Sequence, residues 1–331
     1  MREKINKILF INTGGGIGDA LSCLPTFNYI NKILSPEIIY YYATDLNNYW
    51  FEEKLLEYKP VNLSIIKNFP EHFGFRDFHK KDAEKLINKF DFNEFDLIID
   101  NQTRLKNTLI YRKIPHKYYI SPCINYFLSK PFKFIKKSKA ISIRIIDYLN
   151  KLTNNNEMPN YSIDISKSFL DEAKKLIKND KKYIGFSITA GHKTRNKEIK
   201  FDEIIKVAKY FSDKYIPTFF IEDKYIDLKE KIKKSVGNSY FPEEQINKIY
   251  KKPMMVTALG SLTSFNISID NGISHMLSFS KNKNFIIYND YSEKFKPINK
   301  NCFIFDCKIN NTSIDQITSE SIINFIRQYL N

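Results

Sequence analysis

Short apolar runs alternate along this chain with segments whose apolar residues recur every three or four positions, as buried strands between amphipathic helices do. In the first half the pattern predicts a strand at Ile8–Asn12, a helix over Asp19–Leu34, strands at Ile38–Tyr42 and Val61–Ile66, a helix over Asp82–Phe90 and a strand at Asp96–Ile99. A further helical pattern, Ile141–Leu152, runs into the polar, proline-containing stretch Thr153–Asn160, the best linker candidate. The second half repeats the alternation: strand Tyr183–Ser187, helix Asp202–Phe211, strands Thr218–Ile221 and Phe265–Ile269, helix Ile273–Phe279 and strand Asn284–Ile287. A last helix over Asp315–Tyr329 is long enough to pack back on the first half. The prediction is therefore an α/β chain of two domains, 1–158 and 159–331, each a parallel sheet covered by helices on both faces. Such sheets bind ligands beyond the carboxyl ends of their strands, and two of them facing one another enclose a cleft there.

Composition narrows the class. At 331 residues the chain exceeds what one core usually fills, and 43% hydrophobic residues suffice for two. Lys, Asn or Asp interrupts every apolar run, so no transmembrane anchor is expected. The apolar start, Ile8–Ile11, is too short for a signal-peptide core, which predicts a cytoplasmic protein. Cys23, Cys123, Cys302 and Cys307 show no CxxC spacing and join the five histidines in no metal-like cluster, so reduced thiols and no metal site are expected.

The net charge of +15 is unevenly spread. From Asn101 to Ile146 there is no acidic residue, while Arg104, Lys106, Arg112, Lys113, Lys117, Lys130, Lys133, Lys136, Lys137, Lys139 and Arg144 all fall there. Tyr118, Tyr119, Tyr126, Phe127, Phe132 and Phe134 interleave with these cations. That pattern suits an anionic membrane or glycolipid surface, although single-stranded nucleic acid or plain solvent are also compatible with it.

Three strand-to-turn segments carry the candidate chemistry. The first, Ile8 to Asp19, passes through Gly14-Gly15-Gly16-Ile17-Gly18 and puts Asp19 where a dinucleotide fingerprint has its last glycine. A carboxylate there repels a pyrophosphate, so the Gly16–Gly18 turn either presents Asp19 as a base or leaves it a helix cap. The second, Phe186 to Lys197, gathers Thr189, Lys193, Arg195 and Lys197 after a strand, cations suited to a diphosphate, with Lys197 favoured; a solvated basic loop is the bland alternative. In the third, Asp270-Asn271-Gly272-Ile273-Ser274-His275, Asn271 and Gly272 expose amides to an anion, and Asp270 and His275 either fix the turn or touch the ligand.

In this order the segments resemble glycosyltransferase family 9, the heptosyltransferases of lipopolysaccharide core assembly. The resemblance rests on Gly18-Asp19, Ile184–Gly191, Lys197-Glu198-Ile199 with Phe201-Asp202-Glu203-Ile204, and Asp270-Asn271-Gly272-Ile273-Ser274-His275, together with Pro25 and Pro297. It implies the GT-B fold, two Rossmann-like βαβ domains facing across a cleft, and an inverting mechanism without metal. No Asp-x-Asp pair occurs in the chain. By similarity Asp19 is the base, Thr189 and Lys197 hold donor phosphate and sugar, Asn271, Gly272 and His275 complete the donor site, and Glu222 meets the ribose. Asn271 stands where the family has Thr or Ser, and Ile199 where it often has Trp.

The function expected is transfer of a heptose or related sugar from a nucleoside-diphosphate sugar, ADP-linked, to an anionic lipid-linked glycan. No other cofactor and no nucleic acid enter this reading. The chain would act as a monomer, touching the inner membrane surface through the 101–146 window. A non-catalytic nucleotide-sugar or membrane-surface binding protein of the same fold is the alternative. An adenine- or nicotinamide-dinucleotide enzyme is disfavoured by Asp19.

Overall fold

Parallel strand pairing organises both halves of the chain, as the alternation of apolar runs and amphipathic segments predicts. The computed structural model describes residues 4–12, 16–43, 50–66, 88–156, 161–178, 180–191 and 196–330. Two units form, Met1–Tyr161 and Ser162–Asn331.

The first unit holds β1 (Lys7–Asn12), α1 (Ile17–Leu21), α2 (Leu24–Leu34), β2 (Ile38–Ala43), β3 (Leu63–Ile65), β4 (Phe95–Asp100), α3 (Leu105–Tyr111), β5 (His116–Ile120) and α4 (Arg144–Thr153). Its sheet runs β3-β2-β1-β4-β5, all parallel. Ile8, Leu9, Phe10 and Ile11 are all fully buried, because a central strand between two helical layers has no solvent face. On one side Phe27 of α2 meets Phe10 edge-on at 4.7 Å and Tyr41 at 5.8 Å, an arrangement that brings ring edges onto ring faces.

Where one helix over Asp19–Leu34 is expected, two form, broken at Ser22 and Cys23. The Asp19 carbonyl accepts from the Ser22 hydroxyl at 2.8 Å and the Cys23 thiol at 3.4 Å, drawing side chains into the ladder. Pro25 has no amide to continue it. The expected strand at Val61 begins only at Leu63, with Val61 exposed in the preceding turn. Residues 82–87 of the expected helix Asp82–Phe90 lie outside the described residues.

The second unit holds α5 (Lys167–Leu176), β6 (Tyr183–Ser187), α6 (Phe201–Phe211), β7 (Ile216–Phe219), α7 (Ile226–Ser235), α8 (Pro253–Gly260), β8 (Phe265–Ile269), α9 (Gly272–Ser278), β9 (Lys283–Tyr288), α10 (Ser292–Phe295), β10 (Cys302–Asp306) and α11 (Ser319–Leu330). Its parallel sheet runs β10-β9-β8-β6-β7. A polar seam crosses the buried middle: Asn266 donates to the Gly260 carbonyl at 3.2 Å and to Asn284 Oδ1 at 3.0 Å, and accepts from Thr263 at 2.9 Å. Gly185 lies against that seam, where a β-carbon would run into Asn266 and sit 2.6 Å from the Phe220 ring. The final helix buries Ile322, Phe325 and Ile326 in its own unit's core with Ile205 and Phe285.

All four cysteines are free, and burial pushes every thiol up, Cys307 to about 11 and Cys302 to about 12. They are inert packing groups. Among the described residues no helix is long and apolar enough to cross a membrane.

Candidate functional site

In an open parallel sheet a crevice forms where strand order reverses, because the two connections there leave to opposite faces. In the first unit that point lies between β1 and β4, in the second between β6 and β8. The three sequence clusters fall at these two places.

In the first unit, Asp19 occupies the third position of α1, which begins at Ile17, two residues before the start the sequence suggests. Gly16 is the N-cap, and its amide donates to Asp19 Oδ2 at 2.9 Å, so a capping role for the carboxylate is realised. Gly16 has an extended φ of −111°, and Gly18 lies inside the helical turn; Gly14 and Gly15 lie outside the described residues. Asn12, the last residue of β1, donates to the Asp19 carbonyl at 3.4 Å and to the Tyr41 hydroxyl at 3.1 Å. Burial, reinforced by the Asp19 charge, keeps the Cys23 thiol and the Tyr41 phenol protonated. Among the described residues, the buried titratable side chains beside Asp19, Cys23 and Tyr41, are therefore neutral.

Beside it, β4 ends in Asp100, which the sequence reading does not single out. Its buried carboxylate accepts from Thr108 at 2.7 Å, Tyr119 at 3.1 Å and Ser121 at 3.2 Å, and burial raises it to about 6. The adjoining Asn101 donates to Cys23 Sγ at 3.7 Å, linking the end of β4 to the Asp19 turn. Only the position of Asp100 at the end of an apolar strand could have signalled it.

In the second unit the predicted donor residues converge from two strand ends. Lys197, on the loop after β6, forms an ion pair with Asp270, on the loop after β8, both partly buried. Asn271 caps α9, accepting from the Ser274 amide at 2.8 Å, while its amino group donates to the Ser187 hydroxyl at 2.9 Å and the Thr189 carbonyl at 3.0 Å. Gly272 opens α9 and His275 is buried one turn on. Glu198 Oε1 accepts from the Ala190 amide at 2.7 Å and shapes the same loop. Lys193 lies outside the described residues, within 192–195. Glu222 follows the edge strand β7 and pairs with Lys224 at 2.7 Å, both exposed, an arrangement worth little by itself.

Ser187 and Glu198 fall inside the sequence clusters without a role assigned to them there, and Tyr288 is a candidate that sequence reasoning misses. Tyr288 ends β9, and its fully buried hydroxyl has no hydrogen-bond partner among the described residues. Burial and then the Asp270 charge hold this phenol protonated. Among the described residues the arrangement supplies one held cation, a buried phenol and a capped turn at the ends of β6, β8 and β9. Among the described residues no three of His, Cys, Asp and Glu gather as metal ligands do.

The basic window divides on inspection. Arg144 is buried and donates to the carbonyls of Ser138 and Lys139 at 2.9 Å each, so it braces the backbone and adds nothing to a docking face. Lys117 pairs with Asp96 at 2.9 Å. Tyr119 and Tyr126 are core residues, whereas Phe127, Phe132 and Phe134 are exposed and Tyr118 half-buried.

No family model matches the sequence, and no curated protein does. Solved structures do resemble it. A glycosyl transferase family 9 structure from Veillonella parvula has a TM-score of 0.70 at 15% identity, covering 98% of each chain. Escherichia coli heptosyltransferase WaaC with ADP gives 0.66 at 13%, covering 97% of this chain and 99% of that one. Escherichia coli ADP-heptose LPS heptosyltransferase II gives 0.65 at 14%, covering 97% and 98%. The chain thus has the two-sheet α/β fold of the GT-B type found in glycosyltransferase family 9 structures.

Proposed function

We propose that this protein is an inverting, metal-independent glycosyltransferase. It moves a heptose or related sugar from an ADP-linked donor to a lipopolysaccharide-core or other anionic lipid-linked glycan. The observation that carries the reading is the convergence of Lys197, Asp270 and Asn271 at the β6–β8 switch point. A shared fold with a heptosyltransferase solved with ADP supports it.

In this mechanism the acceptor hydroxyl oxygen forms a bond to the anomeric carbon as the bond from that carbon to the diphosphate oxygen breaks. The hydroxyl proton passes to the Asp19 carboxylate, and the charge growing on the leaving diphosphate is met by Lys197. Asp270 holds the lysine in place beforehand, so little ordering cost remains when donor binds. Thr189, Gly272 and His275 serve the donor, as does Lys193 by its place in the sequence, and Glu222 takes the ribose. The protein works as a monomer at the cytoplasmic membrane face, with the basic window toward its acceptor.

Calorimetric titration with ADP, followed by mass spectrometry of products from a panel of nucleotide sugars and truncated core glycolipid, tests this. Binding and a product heavier by one sugar are expected. Binding with no transfer to any acceptor would favour a non-catalytic nucleotide-sugar binding protein, and no nucleotide binding at all would end the transferase reading and leave only the membrane-surface form of the alternative.

A further inference from the structure

We propose that the segment Ser121–Ala140, between β5 and α4, is a membrane-docking loop. Ile124, Phe127, Phe132 and Phe134 enter the interfacial layer of an anionic bilayer, and Lys130, Lys133 and Lys136 rest on its headgroups. This narrows the reading of the basic window as the acceptor side and names the residues that do the work.

The loop has almost no regular structure, yet its backbone is pinned at many points. The Tyr126 hydroxyl donates to the Arg144 carbonyl at 2.6 Å, and its buried ring stacks on Tyr148 at 4.4 Å. The Tyr148 hydroxyl donates to the Pro131 carbonyl at 2.6 Å and accepts from the Lys133 amide at 3.0 Å. Tyr119 and Lys130 exchange two backbone bonds, and the Lys137 amide donates to Asn125 Oδ1 at 3.2 Å. Arg144 clamps the Ser138 and Lys139 carbonyls.

A loop anchored this firmly should have turned its apolar side chains inward, and it does not. Ile124 is 53% exposed, Phe127 64%, Phe132 49% and Phe134 74%. Phe127 and Phe132 touch edge to face at 5.9 Å, so two of the four form a single apolar patch. The backbone is strained to achieve this: Ile124, Asn125 and Tyr126 have φ of 46°, 50° and 66°, a left-handed run that only Asn among them adopts readily. For a β-branched residue such as Ile124 it is a true outlier. The strain sends Tyr126 into the core and leaves its neighbours Ile124 and Phe127 in water.

Charge decides what covers them. The loop carries lysines and no carboxylate, and the nearest acidic residues flanking the window in sequence are Asp100 and Asp147. Aromatic and aliphatic side chains among lysines match a headgroup boundary over apolar chains. Single-stranded nucleic acid is a poorer match, since stacking platforms favour arginine beside their aromatics and the loop's clamp, Arg144, is buried.

The test is co-sedimentation of the whole protein with phosphatidylcholine vesicles, with and without phosphatidylglycerol. Wild type is expected to bind the anionic vesicles only. Phe127→Ser with Phe134→Ser, both at exposed positions, lowers that binding by about tenfold or more, and each of Lys133→Gln and Lys136→Gln by about fivefold. Tryptophan emission in the Phe134→Trp variant is quenched by lipids brominated on their acyl chains, which purely electrostatic adhesion would not produce. ADP binding by the same variants stays at the wild-type value, so this outcome and that of the donor reading are separable. Unchanged vesicle binding in the double variant, absence of quenching, or tighter binding of single-stranded DNA than of anionic vesicles overturns the proposal.

Discussion

Asn271 reaches from the turn after β8 to the Ser187 hydroxyl at 2.9 Å and so ties together the two strand ends between which the second sheet reverses its order. The same side chain accepts the Ser274 amide, so one residue fixes both the crevice and the start of α9. Asn271→Ala removes the cap and both donated bonds, and about 1–2 kcal/mol of stability is expected to go with them. Asn271→Asp keeps the cap oxygen but not the donor, so it should retain helix stability while weakening ADP binding. Urea unfolding beside ADP titration separates the two contributions.

Lys197→Ala is expected to weaken ADP binding about ten to a hundredfold, the loss of a charge-assisted bond to an anion. It also strands Asp270 without its partner. Adding Asp270→Asn should restore stability and leave ADP binding weak; recovery of affinity in the double variant would show that Lys197 serves only to neutralise Asp270.

Asp19→Asn discriminates between base and cap. An asparagine oxygen can still accept the Gly16 amide, so α1 and the melting profile should be preserved. Turnover should fall about a hundredfold or more, since the amide cannot take a proton. Wild-type turnover in this variant would remove Asp19 from the mechanism.

Asp100 predicts a pH dependence of stability with a definite sign. Burial raises its folded value from 3.8 to about 6, so between those values the folded chain binds more protons than the unfolded one. Its contribution is present below pH 3.8 and is lost as pH rises through about 6. Glu243, raised by burial to about 8, acts with the same sign in the second unit, and Glu203, lowered to about 2 chiefly by Lys206, acts oppositely. The difference between wild type and Asp100→Asn therefore isolates the Asp100 share, about 3 kcal/mol at most, in denaturant midpoints collected from acid to neutral pH. No pH-dependent difference would mean that the carboxylate stays charged in its hydroxyl cradle.

Chelation supplies a further check. If Lys197 meets the leaving-group charge, transfer activity is expected to survive EDTA and to gain nothing from added magnesium or manganese. Loss of turnover on chelation, restored by a divalent ion, would contradict the metal-independent mechanism.

The central strands are legible because β1 and β6 are buried on both faces and largely apolar, while β8 keeps Phe265, Ile267 and Ile269 in alternation with the buried Asn266 and Ser268, and turns delimit all three. Peripheral strands lack that signal. β5 reads His116-Lys117-Tyr118-Tyr119-Ile120, with only its last two residues fully buried, and β10 is half-buried along most of its length, so neither stands out. The helix break at Ser22 depends on side-chain bonds to a carbonyl, which periodicity does not contain. The candidate turn residues Thr189, Asp270 and Asn271 can be picked out because they follow β6 and β8 within two residues. Asp100 and Tyr288 escape notice because their surroundings come from what the sheet places beside them. The basic window is legible as charge, but which of its rings face outward is decided by the left-handed turn at Ile124.

The edge position of β7 has one further consequence. A border strand with a single neighbour tolerates insertion and exchange in the loop beyond it, and Glu222 stands on that loop. Under the proposed donor reading, exchanges in that loop would alter contacts to the nucleoside without disturbing the Lys197–Asp270 pair, which is built between two interior strands.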